Sequence, residues 1–391
     1  MKKLLIASAA LAMVAGTAQA QSSVTVYGVL DVGYSAVENT TNTSGVASVV
    51  KHKNTGNGDG GLATSRLGFR GVEDLGGGLK ANFVLEYDLV DVGMGGNGKS
   101  TTADAVDASN ATVTADRGFG ARYSWVGLED AKLGQLRLGR QEQSIHSVLV
   151  AGSAGAANNV AGAIYSNGTT GAQTDATIRP HSVFLNRAIT YISPSFNGVT
   201  FELQTAEQKI TSGANSGYAK ETGGSIKYVA GKLALGFGTF TAENDAVANN
   251  TSQTKVTGSA FSGSYNFGPA QAFAMHTRNK ATDVDANVLA TVVNSAPHQF
   301  VGDTKATEVG VRVPMGKTTL WASAFDGDRK TGANGATTSD VSGYQVGARY
   351  DLSKRTAAYA IYGEQEIKGT GTNTGNGLES KFTSVGVRHS F

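Results

Sequence analysis

From Val24 to its last residue the chain keeps one rhythm, apolar and polar side chains alternating with period two. Between Val24 and Tyr34, Val24, Val26, Leu30, Val32 and Tyr34 share one face, and Thr25, Tyr27 and Asp31 take the other. Between Leu79 and Leu89, Leu79, Ala81, Phe83, Leu85, Tyr87 and Leu89 alternate with Lys80, Asn82, Glu86 and Asp88. Successive side chains of a strand point to opposite faces, so this period predicts β-structure throughout. Sixteen strands are expected, near 24–34, 64–73, 79–90, 119–128, 134–141, 185–193, 198–206, 221–230, 232–241, 257–267, 270–279, 305–313, 317–326, 340–351, 355–365 and 380–391.

The connections carry a second regularity. Short ones (73–78, 129–134, 193–198, 230–232, 267–270, 313–317, 351–354) alternate with long ones rich in Gly, Ser, Thr, Asn and Ala (35–63, 91–118, 142–184, 207–220, 242–256, 280–304, 327–339, 366–379). In an antiparallel meander every second connection lies at the same end. Short turns at one end and long loops at the other is the asymmetry of outer-membrane barrels, with short periplasmic turns and long external loops.

A soluble β protein with solvated outer faces is the alternative. Charge placement bears on it: Arg66, Arg70, Lys80, Glu86, Arg122, Glu308, Arg312 and Arg388 all sit opposite apolar neighbours. A dry core could not take them, but a wet lumen or bulk solvent can; the export signal and the alternation of short and long connections favour the lumen. Open sheet edges would leave unpaired backbone groups in hydrocarbon, so the sheet must close. A ring of this size leaves a water channel, whereas eight strands are filled by their own side chains. The expectation is a sixteen-stranded antiparallel transmembrane β-barrel over residues 21–391.

Residues 1–20 read as a cleaved secretory signal: a basic head at Lys2-Lys3, an apolar stretch from Leu4 to Gly16, and small residues at Ala18 and Ala20. Removing it takes two lysines and leaves the remaining basic residues equal in number to the 31 acidic ones. Net charge therefore points to no nucleic-acid partner. The absence of cysteine excludes disulfides and thiolate chemistry. No histidine pair has metal-ligand spacing, and no GxSxG elbow occurs. The glycine-rich GNGDGG (56–61) and GMGGNGK (93–99) fall between strands and lack the P-loop register. No enzyme, cofactor or metal is expected.

SSVTVYGVLDVGY, SRLGFRGVEDLGGGLKANFVLE, RYSWVGLEDAKLGQLRLGRQ, AITYISPSFNGVTF, YDLSKRTAAYAIYGEQE and the terminal VGVRHSF together resemble the Gram-negative general diffusion porins of the beta-proteobacterial type. The resemblance spans residues 22–391. It implies a homotrimer in outer-membrane lipid and lipopolysaccharide, passive diffusion of small hydrophilic solutes and ions, and Phe391 as part of the signal read by the barrel-assembly machinery. It also implies that the third long loop, 142–184, folds inward against a basic wall. Arg66 and Arg140 match the wall arginines by motif. Arg70 and Lys80 join by parity, and Arg187 is a further candidate. The loop offers only Glu142 and Asp175 as acids, so a weak anion preference is expected. Arg140 breaks the parity of Leu136 and Leu138, which predicts a strand end or kink there. A substrate-selective channel and a surface adhesin are the alternative readings.

Overall fold

The computed structural model describes residues 23–43, 45–56, 60–89, 120–164, 183–212, 215–244, 254–282, 303–331, 337–370 and 377–391. The expected signal over 1–20 and the loop residue Asp175 lie outside them. The described residues form β1 (Ser23–Thr43), β2 (Val46–Gly56), β3 (Arg66–Gly76), β4 (Leu79–Asp88), β5 (Gly120–Asp130), β6 (Gly134–Glu142), β7 (Phe184–Ile192), β8 (Val199–Ser212), β9 (Asn215–Ala230), β10 (Leu233–Asn244), β11 (Thr254–Asn266), β12 (Gln271–Thr282), β13 (Asp303–Met315), β14 (Thr318–Thr331), β15 (Thr337–Asp351), β16 (Thr356–Thr370) and β17 (Gly377–Ser390). A short helix, α1 (His146–Ala151), follows β6.

From β3 onward each strand pairs antiparallel with the next, and β17 returns to β1 from Val29↔Ser390 to Asn42↔Gly377. The sheet is closed. On its other edge β1 pairs with β3 over Ser23–Val29 and with β2 over Gly33–Thr43. β2 and β3 thus share one place in the ring, giving a sixteen-stranded antiparallel transmembrane barrel. All sixteen expected strands are present. β2 is an addition inside the expected connection 35–63: β1 runs on to Thr43, and Gly45, at φ 85°, turns the chain back.

Val126, Leu128, Leu203, Phe261 and Val309 are about half exposed on the outer face, while Asn82, Gln204, Ser262, Glu308 and Gln345, on the alternate positions, are buried. Apolar side chains outward and polar ones inward is the arrangement hydrocarbon surroundings require. Tyr228, Tyr265, Phe267, Tyr350 and Phe391 lie exposed near the short-turn end, where an aromatic girdle belongs. Phe391 and Gly28 exchange two backbone hydrogen bonds of 3.1 Å, so the final residue closes the ring onto β1.

Residues 143–164 contact the inner-face positions of many strands. Ile145, Val148 and Leu149 are fully buried, at the i, i+3, i+4 spacing that gives one apolar helix face. They seat α1 on β10, where a Cβ at Gly236 or Gly238 would run into Val148 or Ile145. The helix ends at Gly152, whose N–H reaches back to Val148 and Leu149.

A second fastening joins the first connection to the wall. The buried carboxylate of Asp31 accepts from Tyr359 Oη at 2.7 Å and from the N–H groups of Ala63 at 2.8 Å and Leu62 at 3.0 Å. Asn159 then donates its N–H to Gly61 O at 3.0 Å and its Nδ2 to Gly60 O at 2.7 Å. Asp31→Ala strands three donors and is expected to cost roughly 2–4 kcal/mol. A lowered temperature for the folded-to-unfolded band shift on SDS gels checks this.

Candidate functional site

Glu86 is the centre of the inner-face charge cluster, with only 5% of its side chain exposed. It sits on β4 between β3 and β5, and side chains from three other strands converge on it. Arg122 of β5 donates Nε to Oε1 at 2.7 Å. Tyr27 of β1 donates its hydroxyl to Oε2 at 3.0 Å. Arg66 of β3 lies at 3.8 Å. One carboxylate thus holds two guanidinium groups, and a net positive charge is left over.

That excess faces a cavity of about 470 Å³. Arg66, Arg122 and Arg388 line its wall side, and His146, Val150 and Ala157 of the 143–164 segment line the other. Glu142, at the end of β6, is the acid on the lining among the described residues. It lies 3.5 Å from His146 Nε2 and accepts a hydrogen bond from Tyr123.

The expected residues separate into groups. Arg66 is central. Glu142 is at the cavity but bound to its neighbours. Arg70 shares the face of Arg66 four residues along, about 13 Å away at ~3.3 Å per residue, where it stacks on Tyr27 at 5.3 Å. Lys80 pairs in register with Asp74 near the short turn, about 27 Å from Arg66 by the same rise. Arg140 lies at a β-bulge, where the β6–β7 register shifts between Gly139 and Gln141. The bulge accounts for its broken parity. Its Nε donates to Ala121 O at 2.7 Å and its Nη1 to Asn186 at 2.5 Å, and it stacks on Phe184 at 5.2 Å. Arg187 is the exposed residue on the opposite side of that bulge, in the left-handed region at φ 53°.

Arg122 and Arg388, absent from the expected site, complete it. Arg388 has the inner parity of its strand, but parity gives a side chain's face and not its height; Arg122 has the parity of the outward Val126 and Leu128 and reaches the inner cluster where the β4–β5 register shifts beside it, between Glu86 and Tyr87. Side chains of the wall strands hold the 143–164 segment at further points. Arg312 donates to Ala154 O at 2.6 and 2.9 Å and to Ser153 O at 3.2 Å, while stacking on Phe273 at 4.8 Å. Gln345 is fully buried and exchanges hydrogen bonds with Asn158 at 2.5 and 3.1 Å. It also reaches Val160 O at 2.7 Å and accepts from Trp321 Nε1 at 3.0 Å. Glu308 accepts from Ile164 N at 2.7 Å, and Gln143 donates to Glu221. The apolar triad at 145, 148 and 149, in an otherwise polar connection, is the sequence signal that marks this segment as packed.

A family model described as Gram-negative porin matches residues 7–370. Over the full length of both chains, the sequence is 30% identical to an outer membrane porin protein of Bordetella pertussis. It is 27% identical, again over the whole of both chains, to outer membrane porin protein 32 of Delftia acidovorans. Among solved structures, the anion-selective porin from Comamonas acidovorans superposes with a TM-score of 0.65 at 24% identity, covering 95% of this chain and 100% of that one.

Proposed function

This chain belongs to the Gram-negative porin family, and from that membership we propose that it is a general diffusion pore with a weak preference for anions. It is an outer-membrane channel for small solutes and a transport protein, not an enzyme. The finer reading is that the third loop folds into the lumen and narrows it beside Arg66, Arg122 and Arg388. One observation carries the preference. Four inner-face acids, Asp31, Glu86, Glu221 and Glu308, are buried and bound in internal hydrogen bonds, while among the described residues three arginines line the open cavity against one acid, Glu142. Fixed cations at a constriction favour anions. The anion-selective porin it superposes on adds the likeness of fold.

The rest of the reading follows the family. The segment 1–20 directs export and is removed, three copies assemble, and the long connections face outward. The barrel-assembly machinery reads Phe391 at the end of β17. Refolded protein in a planar bilayer is expected to conduct in steps grouped in threes. Conductance that rises only in single steps would remove the trimer, and no conductance would remove the pore.

A further inference from the structure

The wall of the cavity is set with permanent charges. A guanidinium stays protonated at any working pH, so Arg66, Arg122 and Arg388 cannot report on acidity. Facing them is a group that can. His146 opens α1, with its side chain 9% exposed and its Nε2 3.5 Å from Glu142 Oε1. Imidazole is the side chain whose ordinary titration falls between pH 5 and 8. We propose that His146 is a selectivity-setting residue, a proton-operated charge opposite Arg66, Arg122 and Arg388 that strengthens the anion preference of the pore as pH falls. The inference deepens the reading of the cavity as the constriction and rests on it.

The surroundings of His146 support a charge change that solutes would feel. Glu142 faces it directly, and Tyr123 of β5 is hydrogen-bonded to the same carboxylate. Arg122 of β5, Arg66 of β3 and Arg388 of β17 share the cavity lining with it, and Glu86 of β4 lies behind two of them. Glu221 of β9 is bound to Gln143, three residues before the histidine. The strands beneath α1 contribute no charge: the inner positions of β10 from Gly236 to Ala242 and of β11 from Val256 to Ser264 are Gly, Ala, Val, Phe and Ser. Segment 147–164 is also without ionisable side chains. With imidazole neutral, the described residues of the lining carry three positive charges and one negative. Protonation adds a fourth positive charge opposite the arginines and offsets Glu142, so the lining as a whole becomes more positive. Pairing with Glu142 does not cancel this, because the net charge still rises by one.

The sign is therefore fixed: anion-to-cation permeability rises as pH falls through the imidazole range. One added charge a few ångströms from the path, screened by salt, is expected to change that ratio about two- to fourfold.

The test uses refolded full-length barrel in planar bilayers under a potassium chloride gradient, with reversal potentials read from pH 8 to pH 5.5. Wild type should show the rise with one midpoint. His146→Gln and His146→Asn should each stay flat at the high-pH value. His389→Gln, on the outer face where His389 bonds Thr356, should keep the wild-type curve. Glu142→Gln, which removes the facing carboxylate, should raise the high-pH ratio and move the midpoint to lower pH. A flat wild-type curve overturns the proposal and needs no variant. So does a pH response that persists in His146→Gln. A channel that lacks anion preference at every pH, yet shifts with pH through His146, would reject the anion-preferring reading and keep this one.

Discussion

Arg66→Gln combined with Arg388→Gln is expected to lower the anion-to-cation permeability ratio about fivefold, to unity or below. Both side chains line the cavity, and both can go without exposing a buried acid. Glu86 keeps its 2.7 Å bond from Arg122 and its bond from Tyr27. Two of three lining cations are then gone, and Glu142 balances the one that remains. Arg122→Ala is the contrasting case. It would leave Glu86 buried with Arg66 at 3.8 Å as its nearest charge. Breaking a buried pair this way costs about 3–5 kcal/mol, so selectivity and stability would change together. Reversal potentials of the double variant, with an SDS gel to show the folded band, separate selectivity from folding. A double variant as anion-preferring as wild type would place the selective charges elsewhere.

Gln345→Ala is expected to raise single-channel conductance and add slow current fluctuations, because it unfastens the third loop. The amide serves Asn158, Val160, Ala161 and Trp321 together. Its removal leaves several buried polar groups without partners, at roughly 1–3 kcal/mol each. The barrel should survive, since β14, β15 and β16 keep their ladders from Thr318↔Tyr350 to Asp351↔Ala357. Arg312→Ala should act in the same direction with a smaller effect, because it frees two carbonyls, Ser153 and Ala154. Unchanged conductance and noise in Gln345→Ala would mean that this contact does not hold the constriction.

The strands were legible because a membrane barrel writes its faces into every second residue. Leu79 to Leu89 needs no partner to be read, since lipid lies on one side and water on the other. β2 was not legible for the same reason in reverse. Residues 46–56 lie beyond the apolar belt, both faces are mixed, and the polar composition reads as loop. Arg140 was legible as an irregularity, and the bulge at Gly139–Gln141 is its cause.

Height was the hidden quantity. Arg66 and Arg388 are far apart in sequence and share a cavity because the ring closes in one register, with Asp31 opposite Arg388 and Val29 opposite Arg66. The stagger of a closed barrel is a property of all its strands together. Parity could place Arg66, Arg70, Lys80 and Arg388 on one face, but could not separate Lys80, near a turn, from Arg388 at the cavity. The buried state of Glu86 and Glu308 was likewise invisible, because Glu86 is covered by side chains from three other strands and Glu308 by the loop residue Ile164.

The most direct test of the central claim is the zero-current potential of wild-type protein in a planar bilayer at neutral pH under a tenfold gradient of potassium chloride. An anion-preferring pore gives a potential of the sign set by chloride, modest in size. A potential of the sign set by potassium would contradict that preference.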